Sequence, residues 1–399
     1  MAHARLGAAV LLAALAAPAA AHHKQTPPVV PFVTPGDTRL PRLASQNEKS
    51  FTLAVPSGLG TQIVVISPYI APTLYLQQGD PGHNANPAIA AKGNGVVWDT
   101  ADDPLGLGLP GRQLVMSQRG SPTLTALTKD PTGTSSNPVI DSLGRNVAFE
   151  STGDLANTGN AGARQIFLLQ PGGSIQQLSS GVGTSRNPTI SALGFLVAFE
   201  STSDPTTGAD TRISQIWLGS LLGVKPTGIT SGAGSSFNPA LSDDGALLAF
   251  ESTADLAGTG ADNGVSQIFV YAPKSKTFAR ITNDVGGCNL PGVSKVLKDY
   301  RVTFICGGAA YFYIVAADLR FHVQLGGDTE RVLGEMGIHF IMVSSEGDPL
   351  SGGTTSYHQV YLVNLFKRPA QPDLTHATAV WFPARGIPHN PRGCAPGVC

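Results

Sequence analysis

The chain has 399 residues and a formal net charge of −1, with 42% hydrophobic but only 13% charged residues. This composition supports a large buried core, and the 47 glycines and 30 prolines indicate many turns. Because no dense Lys/Arg run occurs, the chain lacks the electrostatic footprint of a nucleic-acid-binding protein.

The N-terminus has the pattern of an export signal. Arg5 precedes an apolar run from Leu6 to Ala17, and Ala19 to Ala21 offer small residues for cleavage. The run is shorter than the roughly 20 residues that a membrane-spanning helix needs. We therefore predict a signal peptide over residues 1–21, a flexible segment over 22–39, and a secreted or periplasmic protein without a transmembrane anchor.

Four copies of one sequence unit follow. Each contains an Asn-Pro pair, a turn glycine, an apolar run ending in an acid, a second apolar run beginning with glutamine, and a closing Leu-Thr-like pair. The Asn-Pro pairs begin at Asn86, Asn137, Asn187 and Asn238. Weaker copies flank these four, and one of them has Asn289 at the position expected for the asparagine.

The segments within a copy are short and rich in residues that favour strands, which gives four strands per unit. A four-stranded unit repeated at this period needs neighbours to cover its faces. We therefore predict an all-β protein, a β-propeller of four-stranded blades with six or seven blades, over residues 40–380. Long loops between the second and third strands should emerge on one rim; they run over 154–164, 204–214 and 255–266.

The repeat also carries a family resemblance. The pattern Asn-Pro-x-(Ile/Leu)-Ser-x-x-Gly-x-x-x-Ala-Phe-Glu-Ser, clearest at 187–201 and 238–252, resembles the WD40-like repeat of TolB-type propellers. The resemblance implies an exported bacterial propeller and does not imply an activity. The chain departs from the family in two ways: only Asp243-Asp244-Gly245 keeps an acidic turn, and glutamine replaces the acid before the third strand, as at Gln165.

Acidic residues recur at the end of each second strand. Asp99, Glu150, Glu200 and Glu251 would form an arc that could hold a cation or a basic partner. The alternative is that each carboxylate accepts hydrogen bonds from its own blade. We favour the alternative, because a scaffold obeys repeat symmetry whereas a binding site normally breaks it.

The asparagines are the candidate ligand-binding residues. If the first strands are innermost, the five asparagines at 86, 137, 187, 238 and 289 would crowd one mouth of the central channel. An asparagine side chain both donates and accepts hydrogen bonds, so the ring could bind a polar ligand. The structural alternative is that Asn caps a turn and Pro starts the strand. Arg164 and Arg212, in the rim loops, are the candidate anchors for a partner.

The rim loops raise a calcium hypothesis, because closely spaced oxygen ligands suit a hard cation. The candidates are Asp154, Asn157 and Asn160 in one unit and Asp255, Asp262 and Asn263 in another. Solvated turns are the favoured alternative, and we assign no metal and no cofactor. The sequence has neither a Gly-x-Ser-x-Gly elbow nor a His-Glu-x-x-His pair, and we assign no catalytic residue.

The four cysteines are even in number and fall in two local pairs, which predicts disulfides. Cys288 precedes the first-strand position of its unit and Cys306 ends the second, so an antiparallel hairpin would bring them together. We expect Cys394 to pair with Cys399 in a C-terminal tail over 381–399.

The sequence interpretation is therefore an exported, monomeric, non-catalytic propeller scaffold that binds a protein or polar ligand through its loop rim or channel mouth. One alternative is a secreted hydrolase or lyase that acts on a glycan or peptide at the channel mouth. Another is a surface-structural protein, which exposed apolar patches or self-association would indicate.

Overall fold

The computed structural model describes residues 83–323, apart from 92, 94, 119–122, 160–161, 205–206, 259–263 and 297. It also describes strand backbone at 29–32, 39–43, 51–57, 60–66, 75–76, 329–336, 340–348, 353–364 and 379–380. All the regular elements in these residues are β-strands.

The strands, in chain order, are β1 (Val29–Phe32), β2 (Arg39–Leu43), β3 (Phe51–Ser57), β4 (Gly60–Ile66), β5 (Tyr75–Leu76), β6 (Asn84–Ile89), β7 (Gly95–Thr100), β8 (Gln113–Gln118), β9 (Leu124–Ala126), β10 (Ser135–Ile140), β11 (Val147–Ser151), β12 (Gln165–Leu169), β13 (Ile175–Gln177), β14 (Ser185–Ile190), β15 (Leu196–Ser203), β16 (Asp210–Ser220), β17 (Thr227–Gly228), β18 (Ser236–Leu241), β19 (Leu248–Ser252), β20 (Gln267–Ala272), β21 (Thr277–Arg280), β22 (Cys288–Val296), β23 (Asp299–Cys306), β24 (Ala309–Ile314), β25 (Leu319–Val323), β26 (Thr329–Met336), β27 (Phe340–Asp348), β28 (Gly353–Asn364) and β29 (Ala379–Val380).

The described strands form seven antiparallel sheets. Five of them are called blades A to E below: blade A is β6–β9, blade B is β10–β13, blade C is β14–β17, blade D is β18–β21, and blade E is β22–β25 with β29 at its edge. The first strands of successive blades contact one another; β2 contacts β6, and β26 contacts both β22 and β2. The first strands therefore line the centre of the propeller, which is the condition set above for a ring of asparagines.

Tight hairpins join the first two strands of each repeat. The turn glycines Gly144, Gly194 and Gly245 have φ of 71°, 75° and 69°. A side chain strongly disfavours this left-handed backbone conformation, which explains why glycine recurs there. The acid retained in blade D also has a structural role, because Asp244 accepts hydrogen bonds from Lys295 Nζ and Tyr300 Oη, each at 2.6 Å, and so joins blade D to blade E.

The core lies between the blades and follows a small-against-large rule. The second strand of blades B, C and D carries alanine on one face and phenylalanine on the other. Ala148 of blade B packs in one cluster with Phe199 of blade C, and Ala198 of blade C packs in the next cluster with Phe250 of blade D. Because alanine leaves room for the neighbouring ring, the repeated Ala-Phe pair packs successive blades together.

Cys288 and Cys306 form the predicted disulfide, since they face each other in the β22–β23 register.

The N-terminal strand belongs to the last sheet of the chain. The segment 22–39, expected to be flexible, contains β1, which pairs with β28 beside β27 and β26. This pairing covers what would otherwise be the open edge of that sheet. Cys394 and Cys399 lie outside the described residues, and their pairing stays a prediction.

Replacing Phe199 with alanine tests the packing rule. Phe199 is 2% exposed, so its loss should leave a cavity between blades B and C and lower the free energy of unfolding by about 3–5 kcal/mol. Phe195 in the same blade is 49% exposed, and Phe195→Ala should change stability by less than about 0.5 kcal/mol. Urea unfolding of both variants measures the difference. Equal losses would contradict the rule.

Candidate functional site

The long loops and the repeated polar residues lie at the same end of the sheets. In blade B, Ser135 of the first strand is opposite Ser151 of the second, and Ser151 is opposite Gln165 of the third. Both the acid that precedes Ser151 and the loop that follows it therefore belong to this end. The loop rim and the channel mouth, which is this end of the first strands, therefore lie at the same end of the propeller.

Each Asn-Pro pair lies at a β-bulge. The register between β10 and β11 shifts between Ser136 and Val139, on either side of Asn137-Pro138. Asn137 has φ of 50°, a left-handed conformation that asparagine tolerates better than most residues. Proline lacks an N–H and suits a bulge, where no ladder hydrogen bond is lost. The pair thus lies inside the strand, and the expectation that proline starts the strand is wrong.

The bulge directs the asparagine N–H toward the preceding blade. Asn137 N donates to Asp99 Oδ2 of blade A at 3.0 Å, and Asn187 N donates to Glu150 Oε1 of blade B at 2.9 Å. Asn238 N donates to Glu200 Oε2 of blade C at 2.6 Å. Each carboxylate therefore holds the backbone of the next blade.

The same carboxylates also hold the asparagine side chains of their own blades. Asn86 Nδ2 donates to Asp99 Oδ2 at 2.8 Å, and Asn137 Nδ2 donates to Glu150 Oε1 at 2.6 Å. Asn238 Nδ2 donates likewise to the Glu251 carboxylate. The expected hydrogen bonding within each blade is present, and the bond to the next blade is an addition that the sequence did not reveal.

Asn187 continues the pattern differently. Its Nδ2 donates to Asn238 Oδ1 at 3.0 Å, while Asn137 Nδ2 approaches Asn187 Oδ1 at 3.4 Å. Three amides thus form a chain from blade B to blade D around the mouth. All three side chains are half-buried. The structure brings these three asparagines together at one end of the propeller, and ligand binding by them stays a prediction.

The predicted fifth member of the ring is displaced by one residue. Leu290, and not Asn289, has the left-handed φ of 52°, and it precedes Pro291 as Asn238 precedes Pro239. Asn289 is opposite Ile305 in the ladder and is exposed. Counting one repeat of 51 residues from Asn238 gives Asn289, but the left-handed position of blade E is one residue later, at Leu290.

Arginines accompany three of the four carboxylates. Arg112 pairs with Asp99, and Arg164 Nη1 lies 2.8 Å from Glu150 Oε2. Both arginines immediately precede the glutamine that begins the third strand. In blade C that position is Ser214, and Arg186 from the first strand replaces it, with Nε 2.6 Å from Glu200 Oε1. Arg164, a candidate anchor for a partner, therefore already pairs with a buried carboxylate.

Glu251 breaks this pattern. Ser266 occupies the arginine position of blade D, and its Oγ donates to Glu251 Oε2 at 3.1 Å. Burial raises the pKa of Glu251 above its ordinary value of 4.5, although hydrogen bonds from Asn238, Ser266 and the Leu290 N–H partly offset the rise. The negative charge of Glu200 raises that pKa further.

The remaining candidates have structural partners. Arg212 is exposed within β16, with φ of 60°, so much of the loop predicted over 204–214 is an extension of the sheet. Asp154 accepts hydrogen bonds from the N–H groups of Thr158 at 2.7 Å and Gly159 at 3.0 Å, as in a solvated turn. Asn160, Asp262 and Asn263 lie outside the described residues.

The glutamines that replace the family acid brace the closing segments. Gln165 Nε2 donates to the carbonyl oxygens of Gly181 at 2.8 Å and Gly183 at 3.2 Å, and Gln165 Oε1 accepts from Ser179 Oγ at 2.7 Å. A carboxylate could not donate these bonds. The replacement therefore suits a structural role at this position.

Among the described residues, one acid–cysteine cluster has the spacing of a metal site, formed by Asp284 with Cys288 and Cys306. Both sulfurs are in the disulfide and so provide no thiolate. Within the described part of the chain, no helix reaches the length and apolar character needed to cross a membrane.

Comparison with known proteins supports the fold. No protein-family model and no curated protein matches the sequence. The structure is similar to oligogalacturonate lyase from Vibrio parahaemolyticus, with 10% identity, a TM-score of 0.56, and coverage of 81% of this chain and 88% of that one. It is also similar to the β-propeller domain of the trilobed protease from Pyrococcus furiosus, with 9% identity, a TM-score of 0.54, and coverage of 82% and 93%.

A further similarity is to TolB from Acinetobacter baumannii, with 14% identity, a TM-score of 0.45, and coverage of 64% of this chain and 57% of that one. At these identities the likeness concerns the fold alone. The chain has a β-propeller fold, and the sequence resemblance is confirmed at that level.

The raised pKa of Glu251 generates a pH prediction. Because the pKa of Glu251 is raised in the folded state, the stability contributed by its protonated form is present below about pH 4.5 and is lost as the pH rises through the raised pKa. Glu251→Gln should remove this loss, so its stability relative to the natural chain should increase as the pH rises from about 4 to about 7.

Glu150→Gln is the matched control. It keeps one acceptor for the asparagines but deprives Arg164 of its charge partner, so it should lower the free energy of unfolding by about 1–3 kcal/mol at neutral pH. Denaturant unfolding across the pH range measures both variants. A stability of Glu251→Gln, relative to the natural chain, that stays constant or falls as the pH rises would contradict the assignment.

Proposed function

We propose that the protein is an exported, non-catalytic β-propeller scaffold that binds a protein or a polar ligand through its loop rim and channel mouth. One observation carries the proposal. The repeated carboxylates are already used in holding the blades together, whereas their asparagine and arginine partners are partly exposed at the same end of the propeller as the long loops. The rigid ring supplies the platform, and the loops supply the variation.

The mouth has the chemistry to bind an acceptor-rich partner. Arg164 and Arg186 have side chains that are 47% and 49% exposed although each pairs with a buried carboxylate. A guanidinium has five N–H donors, and the carboxylate engages only part of them. The neighbouring asparagine amides add donors and acceptors. Carboxylate or carbonyl oxygens of a protein or polar ligand would match this surface.

The loops differ in both conformation and composition between blades. In blade A, Asp103 organises the loop by accepting the N–H groups of Leu107 and Gly108. In blade C, the loop is shortened because β15 and β16 continue pairing as far as Ser203 and Asp210. Varied elements on a repeated framework are typical of proteins that present contacts to a partner.

Export rests on independent features. The N-terminal pattern over residues 1–21 predicts a signal peptide, and the Cys288–Cys306 disulfide suits an oxidising compartment. We accordingly propose a secreted or periplasmic location. We also propose that the scaffold works as a monomer, without nucleic acid and without a cofactor.

Arg212→Gly tests the rim as the binding surface. Glycine accepts the left-handed backbone of this exposed position, so the melting temperature should stay nearly unchanged. Loss of an interface arginine should weaken partner binding about tenfold or more. The measurement is the affinity for the protein that copurifies from the exported fraction, or for a polar ligand identified there.

Lys276→Gly is the control, because Lys276 is also an exposed cation with a left-handed φ, 55°, but lies in the β20–β21 turn. It should leave binding unchanged. Equal binding by both variants and the natural chain would exclude this part of the rim. Cleavage of a glycan or peptide by the pure protein, abolished by mouth substitutions that leave folding intact, would replace the scaffold by the hydrolase or lyase alternative.

A further inference from the structure

A groove lies between blades B and C, lined in part by residues next to their outermost strands, β13 and β17. Its apolar walls are Leu178, Phe199, Trp217 and Pro226, and the polar groups in it include Ser203 and Lys225. The groove is open on one side, and its accessible volume is about 50 Å³. A space of this size takes one small polar group, such as a carboxylate, and the rest of a ligand would extend along the open side.

Two of the residues that shape the groove break the repeat. Trp217 occupies the position that is phenylalanine at Phe167 and Phe269 in the neighbouring blades, and Ser203 occupies the position that is Gly153 in blade B and Ala254 in blade D. Departure from repeat symmetry distinguishes a site from a scaffold.

The structure makes room for the tryptophan. Trp217 is opposite Gly228 on the outermost strand, and a Cβ at Gly228 would lie only 2.9 Å from the indole ring. The corresponding partner of Phe167 is Gln177, which carries a full side chain. Tryptophan and glycine thus form a matched pair that is specific to blade C.

Two hydrogen-bonding groups in the groove lack a partner among the described residues: Ser203 Oγ and Trp217 Nε1. Ser203 is 4% exposed, and leaving such a buried group unsatisfied is unfavourable. In contrast, Trp98 Nε1 in blade A donates to Asn84 Oδ1 at 3.0 Å. The nearby Ser201 Oγ accepts from Ser185 Oγ and from the N–H of Ser203.

Three polar groups of the groove that have no partner among the described residues favour one kind of ligand. An indole N–H only donates, a serine hydroxyl can donate, and a lysine ammonium donates with a positive charge. Lys225 is exposed beside the groove and forms no ion pair with any described residue. Three donors that line one groove, one of them charged, match the two oxygens of a carboxylate. The surrounding apolar walls match a hydrocarbon or aromatic body.

We propose that this groove binds a small carboxylate with an apolar body, its carboxylate oxygens accepting from Trp217 Nε1, Ser203 Oγ and Lys225 Nζ. The body of the ligand packs against Phe199 and Leu178. The site includes none of the asparagines of the channel mouth and does not depend on the function proposed for them.

The test uses hydrocinnamate as the probe and its uncharged amide as the matched control ligand. The chain has three tryptophans, and nitrogen-15 NMR resolves their indole N–H signals, with Trp217→Phe identifying the signal of Trp217. Hydrocinnamate should shift the Trp217 signal saturably and leave that of Trp98 in place. The amide should bind about tenfold more weakly, because it lacks the charge.

Two variants identify the polar contacts. Ser203→Ala introduces the residue that blade D has at this position, so folding should be retained, and Lys225→Gln changes an exposed residue. Each should weaken hydrocinnamate binding about three- to tenfold. The proposal is overturned if hydrocinnamate causes no saturable Trp217 shift, if the amide binds equally well, or if both variants bind like the natural chain while melting normally.

Discussion

The propeller depends on a carboxylate that joins two blades at once. Four consecutive junctions use it: an acid at the end of one second strand accepts the N–H of the left-handed residue on the next first strand. The β-bulge removes this N–H from the ladder of its own sheet, so it needs another acceptor. Leaving it unsatisfied would cost about 1–3 kcal/mol at each junction.

This constraint explains which residues repeat and which do not. The acid, the asparagine and the proline repeat because together they form the bulge and its acceptor, and alanine and phenylalanine repeat because they interlock between blades. Residues outside this set are free to vary. The exposed loops at the rim and the Trp217 groove of blade C are places where the chain uses that freedom.

Much of the fold could be predicted from the sequence. The spacing of the Asn-Pro pairs and the apolar runs indicated four-stranded units, and the two central cysteines were placed correctly in a hairpin. These features depend on local pattern. The number of blades stays a prediction, as does ligand binding by the asparagines.

The site was less predictable because its contacts cross between blades. Nothing in the pattern at Asn187 shows that its N–H reaches Glu150. Likewise, blade C has Ser214 where blades A and B have an arginine, and Arg186 on the first strand pairs with the carboxylate instead. Spacing along the chain cannot reveal this exchange of strands. A one-residue shift at Leu290 also escaped the repeat alignment. In each case the missing information was the direction in which a group points.

Amide hydrogen exchange tests the carboxylate junction most directly. In Glu150→Ala, the Asn187 N–H loses its acceptor, and its exchange should accelerate about tenfold or more, as expected for a lost hydrogen bond to a charged group. The N–H groups of Asn137 and Asn238 keep Asp99 and Glu200 as acceptors and should change much less. Unchanged exchange at Asn187, or equal acceleration of all three N–H groups, would contradict the account.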